Sequence, residues 1–234
     1  MLYPFGFYLD PTMLLLIPGI LIAAWAQYKV SHTYNVYAQY RSMGGWSAAA
    51  MARRILDGAG LPEVKVVMTR GNLTDHYDPR QRVLRLSETV YNSSSLAALG
   101  VAAHECGHAL QHAQHYVPLK LRSALVPVVN LGSLLSWPIL LVGLFMGARP
   151  LLMAGIILFA VTVVFQVVTL PVEFNASSRA LALLDEGGYL QHEEIPGARK
   201  VLSAAAMTYV AATLTAILQL LRLLILSGAT RRRD

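Results

Sequence analysis

His104, Glu105, Cys106, Gly107 and His108 spell the pattern H-E-x-x-H, the stretch of this chain best suited to carry chemistry. On a helix, side chains four positions apart stand one above the other, so the two imidazoles can meet a single ion. Glu105 falls on the neighbouring edge of that face, where it can take a proton from water beside the metal without itself ligating. Cys106 is the only cysteine, so the chain has no internal disulfide. It lies about 200° around the helix from His104, pointing into packing, and is not read as a nucleophile. Two imidazoles and one carboxylate are a usual catalytic set for zinc, which keeps a fourth position for water.

That set needs a third ligand. His112 and His115 are near in sequence, but His112 sits about 12 Å along the helix axis from His104, too far for one ion to use both. A third histidine in the metzincin register would fall at position 114, which is Gln114, and that class is excluded. Glu173 remains. It is the first charged residue after two long charge-free windows, and two membrane crossings would return the chain to the side of the His104 helix. A carboxylate so close to an apolar span is costly unless it is paired or bound.

The elements that must position these residues follow from the distribution of charge. Of 234 residues, 55% are hydrophobic and 14% charged, well below the roughly 25% charged residues of soluble domains. Residues 11–28, 123–148, 150–172 and 201–221 contain no Asp, Glu, Lys or Arg. Each is long enough to cross a bilayer core of about 30 Å as a helix, which satisfies its own backbone groups in lipid. The first window is read as a retained anchor, because its first basic residue, Lys29, follows the apolar run, whereas a signal peptide carries positive charge before it.

The expected architecture is a mainly α polytopic membrane protein with four transmembrane helices and a small α+β, zincin-like catalytic segment. Its parts are a first transmembrane helix in 1–30, the catalytic segment 31–122 and transmembrane helices at 123–148 and 150–172. A third-ligand helix and loop over 173–200, a last transmembrane helix at 201–226 and a basic tail at 227–234 complete it. Within the catalytic segment, a helix is predicted from Ser47 to Asp57. A β-hairpin or meander is predicted from Val64–Met68 and Val83–Leu86, with Gly71, Asn72, Asp75, Asp78 and Pro79 as turn formers. Ser94 or Ser95 then caps the helix that carries the motif through His112, broken before Pro118.

The stretch Ala102 to Gln111, reading A-A-H-E-C-G-H-A-L-Q, and Glu173 to Ala180, reading E-F-N-A-S-S-R-A, resemble the YugP-like neutral zinc metallopeptidase family. Asp75 to Pro79 and the pair Leu86 and Ser87 fit the same resemblance, which covers essentially the whole chain. More distantly, the chain is similar to membrane gluzincins of the HtpX and CAAX-protease type. The resemblance implies one catalytic zinc ion held by His104, His108 and Glu173, with Glu105 as general base. Those relatives carry Asp four residues after the glutamate ligand, where this chain has Ser177, so Ser177 is expected to give a ligand histidine weaker support.

The chemistry implied is attack of water on a peptide carbonyl, with zinc as Lewis acid and Glu105 taking the proton. His76, Tyr77 and Arg179 are the candidate donors to the developing oxyanion. The expected partners are a polypeptide substrate, membrane or membrane-adjacent, and the lipid bilayer. A nucleic-acid partner is not expected, because the net charge of +6 includes the terminal run Arg231, Arg232 and Arg233, which reads as headgroup contact or a topology signal. The basic residues near the span ends, Lys29, Arg41, Lys120, Arg122, Arg179, Arg199 and Lys200 against Arg149 and the terminal arginines, favour a cytoplasmic active site, and the expected location is a bacterial cell membrane. The competing function is a non-catalytic, zinc-binding membrane adaptor or scaffold. A transporter fits poorly, because the spans hold only scattered polar groups such as Asn130 and Gln166.

Overall fold

The computed structural model of the chain describes residues 11–230, with side chains to residue 228; the terminal arginines lie outside the described residues. It is mainly α with one small sheet. After a 3-10 turn at Pro11–Leu15 come α1 (Leu16–Tyr37), α2 (Ala48–Gly58), β1 (Lys65–Thr69), β2 (His76–Asp78) and β3 (Val83–Ser87). The chain continues through α3 (Glu88–Tyr91), α4 (Leu96–Ala113), α5 (Val117–Phe145), α6 (Arg149–Glu186) and α7 (Ile195–Thr230). Four helical stretches are long and apolar enough to cross a membrane: Pro11–Tyr37, Val117–Phe145, Arg149–Glu186 and Ile195–Gly228.

The chain divides into two compact units. Among the described residues, one gathers 11–25, 124–167 and 211–230. Its interior is a small cluster of Leu140, Ile156 and Leu223, and its helices meet at small residues: a Cβ on Gly143 would stand 2.7 Å from the Leu152 nitrogen. Its outward side chains are apolar, with Leu134 70% and Phe145 86% exposed, the reverse of a water-soluble surface and the pattern expected of a lipid-facing one.

The other unit, residues 26–123 and 168–210, has a conventional core. Ser47 caps α2 by accepting from the Ala50 N–H, and α2 buries Met51, Ala52 and Leu56 completely. Ser95 caps α4 in the same way through Ala98. At its far end α4 closes with His115 in the left-handed region, φ 56°, while the N–H of Tyr116 donates to the Gln111 carbonyl and that of His115 to the His112 carbonyl. This Schellman closure stops the helix at Ala113 and turns His115 out of the line of the motif.

Two expectations are corrected here. The sheet is neither a simple hairpin nor a meander: its order is β1-β3-β2, with β1 and β3 parallel and only β2 and β3 antiparallel. β3 lies in the middle and buries Leu84, Leu86 and Ser87 fully, and Asp75 holds the returning loop against its end by accepting from the Ser87 N–H and hydroxyl. Gly71 and Asn72 fall in a bend and Pro79 in a turn, but Asp78, expected to form a turn, belongs to a strand of its own, His76–Asp78. The second correction concerns the helix breaks. No separate short helix begins at Glu173, because α6 runs unbroken from Arg149 to Glu186, and Pro118 opens α5 instead of merely ending α4, a first-turn position where proline loses nothing.

The approach of α4 to α6 depends on Gly107. A Cβ there would stand 2.7 Å from the carbonyl oxygen of Ala176, a backbone atom that cannot rotate aside. Gly107→Ala is therefore expected to push α6 away and lower stability by about 1–3 kcal/mol, read as an earlier thermal unfolding transition in detergent. An unchanged transition would show that the helices are not in close contact there.

Candidate metal centre

α4 presents His104 and His108 one turn apart, their ring centroids 4.7 Å from each other. α6 brings Glu173 against them. Its Oε2 lies 3.2 Å from Nε2 of His104 and 3.6 Å from Nε2 of His108, and one donor atom from each of the three residues falls within 4.8 Å of the others. Glu173 is only 2% exposed. Its second oxygen, Oε1, faces the guanidinium of Arg122 at 3.5 Å, so the carboxylate turns one oxygen to the imidazoles and the other to a fixed cation.

The rear nitrogens of both imidazoles are engaged. Nδ1 of His104 is 3.1 Å from the Ser177 hydroxyl, and Nδ1 of His108 is 3.0 Å from Oε1 of Gln111. For His108 the proton can be placed by logic. Gln111 is fully buried, and its Nε2 donates to the Val172 carbonyl at 2.8 Å and to Oδ1 of Asn175 at 2.9 Å, which fixes the amide orientation and leaves Oε1 as an acceptor. Nδ1 of His108 must then carry a hydrogen, which leaves Nε2, facing Glu173, as the nitrogen available to an ion. A neutral imidazole with a free lone pair on the inner nitrogen is the form that ligates metal, so these residues fit a zinc ion.

Glu105 is buried at 9% exposure, and one of its oxygens accepts the backbone N–H of Tyr77 at 2.9 Å. β2 is an edge strand, so this N–H, unused by β3, is free to reach the helix. The phenol of Tyr77 meets Nδ1 of His112 at 2.9 Å, which gives that histidine a partner away from the metal ligands. A cavity of about 200 Å³ opens over Glu105, His104 and Glu173, walled chiefly by apolar residues such as Leu73, Val101, Val201 and Leu202. Asp75 also lines it; burial pushes its carboxyl above the usual range, against the hydrogen bonds from Ser87.

Ser177, expected to support one of the two histidines, lies with its hydroxyl 3.1 Å from Nδ1 of His104. His76 is exposed and its Nδ1 bonds the Thr74 carbonyl, so its side chain is spent on the turn. Arg179 does not face the cavity: its Nε donates to Oδ1 of Asn175 at 2.7 Å and Nη1 to Oε1 of Gln114 at 2.6 Å, which places it behind the Gln111 link. Cys106 is fully buried against α2, 3.8 Å from the Ala52 carbonyl, and burial raises its thiol far above the usual range. Arg122, Gln111 and Asn175 were not anticipated as site residues, nor was Tyr209, which lines the cavity with its phenol paired to Glu173.

Two part-buried imidazoles and a buried carboxylate that could hold a metal ion lie in a chain with four helices long and apolar enough to cross a membrane. Comparison gives the chain a family. The family described as "Putative neutral zinc metallopeptidase" matches residues 12–228, and the chain belongs to it. It is similar to the "Putative membrane protease YugP" of Bacillus subtilis (strain 168), with 49% identity over 208 residues that cover 89% of this chain and 92% of that protein. No solved structure matches the chain.

The orientation of His108 rests on Gln111. Gln111→Leu removes its acceptor and strands the Nδ1 hydrogen, so zinc affinity, measured by competition with a chromophoric chelator, is expected to fall about 10- to 100-fold. Unchanged affinity would mean that the glutamine serves packing alone.

Proposed function

We propose that this chain is an integral-membrane zinc metalloendopeptidase of the gluzincin type, which hydrolyses peptide bonds in membrane or membrane-adjacent polypeptides. The observation that carries the reading is a buried carboxylate, Glu105, held at the mouth of a donor triad inside an apolar cavity. His104, His108 and Glu173 would hold one zinc ion. Zinc, when bound, supplies the Lewis acidity that makes water nucleophilic near neutral pH and polarises a carbonyl.

The protein's own groups do the rest. Glu105, oriented by the Tyr77 N–H, accepts the proton of the attacking water and returns it to the leaving amine. Two phenols, Tyr34 and Tyr209, line the cavity, and Tyr209, the one beside Glu173, is the proposed donor to the developing oxyanion. Ser177 and Gln111 hold the imidazole planes, and Arg122 holds the carboxylate of Glu173. The apolar wall favours an apolar side chain beside the scissile bond, and a cavity walled by α1 and α7 suits a polypeptide in or next to the bilayer. The charge bias at the span ends supports a cytoplasmic active site in a bacterial cell membrane. A non-catalytic adaptor would have no use for a buried, oriented base at an open metal position.

Glu105→Gln is expected to keep its zinc and lose at least about 100-fold in turnover of a quenched peptide library. A zinc-loaded Glu105→Gln protein with full hydrolytic activity would remove the assigned base and the mechanism with it.

A further inference from the structure

The polar ends of α1 and α7 are used twice. Val30 and Tyr34 of α1 and Val201, Leu202 and Ala205 of α7 wall the catalytic cavity. On a different face, the same two helices enclose a depression of about 520 Å³ that shares none of these residues. α1 contributes Lys29, His32, Thr33 and Val36, the i, i+3, i+4, i+7 spacing of one helical stripe, together with Tyr37. α7 contributes Arg199, Lys200 and Ser203. Three cationic side chains, one imidazole and three hydroxyls thus line one space, and no carboxylate lines it.

Lys29 on one helix and Arg199 and Lys200 on the other set like charges facing one another. The arrangement suits an anion seated among them. The chemistry fits phosphate: Arg offers a planar fork, Lys a point charge and the hydroxyls further donors. Lys200 is held toward the depression's wall, its ammonium 5.8 Å from the centre of the Tyr37 ring. The location narrows the source. The charge-free windows 11–28 and 201–221 end at Lys29 and Lys200, so the depression opens at the level where lipid headgroups lie.

We infer that the depression between α1 and α7 is a binding site for a phosphate-bearing anionic lipid headgroup, distinct from the catalytic cavity. Because the same helices wall both, a bound headgroup would tie together two elements of the catalytic wall.

The test uses the full-length, zinc-loaded protein in nanodiscs of phosphatidylcholine containing a minor fraction of phosphatidylglycerol, with the retained lipids counted by native mass spectrometry. Wild type retains phosphatidylglycerol preferentially, and the preference falls at least about tenfold in Arg199→Gln/Lys200→Gln. Lys65→Gln, an exposed lysine on β1, leaves it unchanged. Arg199→Lys/Lys200→Arg keeps both charges and keeps the lipid, which separates loss of charge from loss of fold. Equal retention of the two lipids by wild type, an undiminished preference in the charge-removed variant, or loss of the lipid from the charge-keeping variant while it holds its zinc would each overturn the inference. Inorganic phosphate is the last arm: if it raises the unfolding temperature of delipidated protein more than short-chain phosphatidylglycerol does, the site belongs to a soluble anion and the lipid assignment is wrong.

Discussion

Glu173 is a charge held where charge is expensive. Taking a carboxylate out of water costs several kcal/mol even after relaxation, and the cost is recovered only when every oxygen meets a partner in good geometry. At 2% exposure, Glu173 has two imidazoles on one oxygen and the Arg122 guanidinium on the other. Much of the surrounding unit serves that arrangement. Gly107 admits α6 to the distance at which the carboxylate reaches α4, and the cap at Ser95 and the closure at His115 fix where α4 begins and ends.

The imidazoles are held as firmly from behind. Arg179 donates to Asn175, Asn175 accepts from Gln111, and Gln111 accepts from His108, so a residue on the solvent side of α6 sets the plane of a ring in the core. His104 has the single hydroxyl of Ser177. The two histidines are therefore held unequally, His108 by a chain of amides and His104 by one hydrogen bond.

The parts of this site that were legible in the sequence are those governed by local periodicity. Four residues separate His104 from His108, and that spacing alone puts them on one face. Charge-free length alone marks the spans, and the first charge after a pair of spans singles out Glu173. The unread parts depend on contacts between distant segments. Gln111 looks like one more polar residue until Val172 and Asn175 fix its amide. Arg122 could have been suspected, since it and Glu173 are the charges bordering two successive apolar windows, but the pairing needs the packing of α5 on α6. The parallel pairing of β1 with β3 was hidden because alternation reports which face of a strand is buried and says nothing of its neighbour. His76 and Tyr77 were noticed for their side chains, whereas the contact that matters to Glu105 is a backbone N–H, which no residue type announces.

Zinc K-edge X-ray absorption on the purified protein tests the central claim most directly, with Glu173→Ala beside wild type. The account predicts two imidazole nitrogens at about 2.0–2.1 Å with oxygen completing the set, no sulfur, and loss of metal or of one oxygen donor in the variant. A sulfur contribution, an imidazole count other than two, or a spectrum unmoved by removing the Glu173 carboxylate would contradict it.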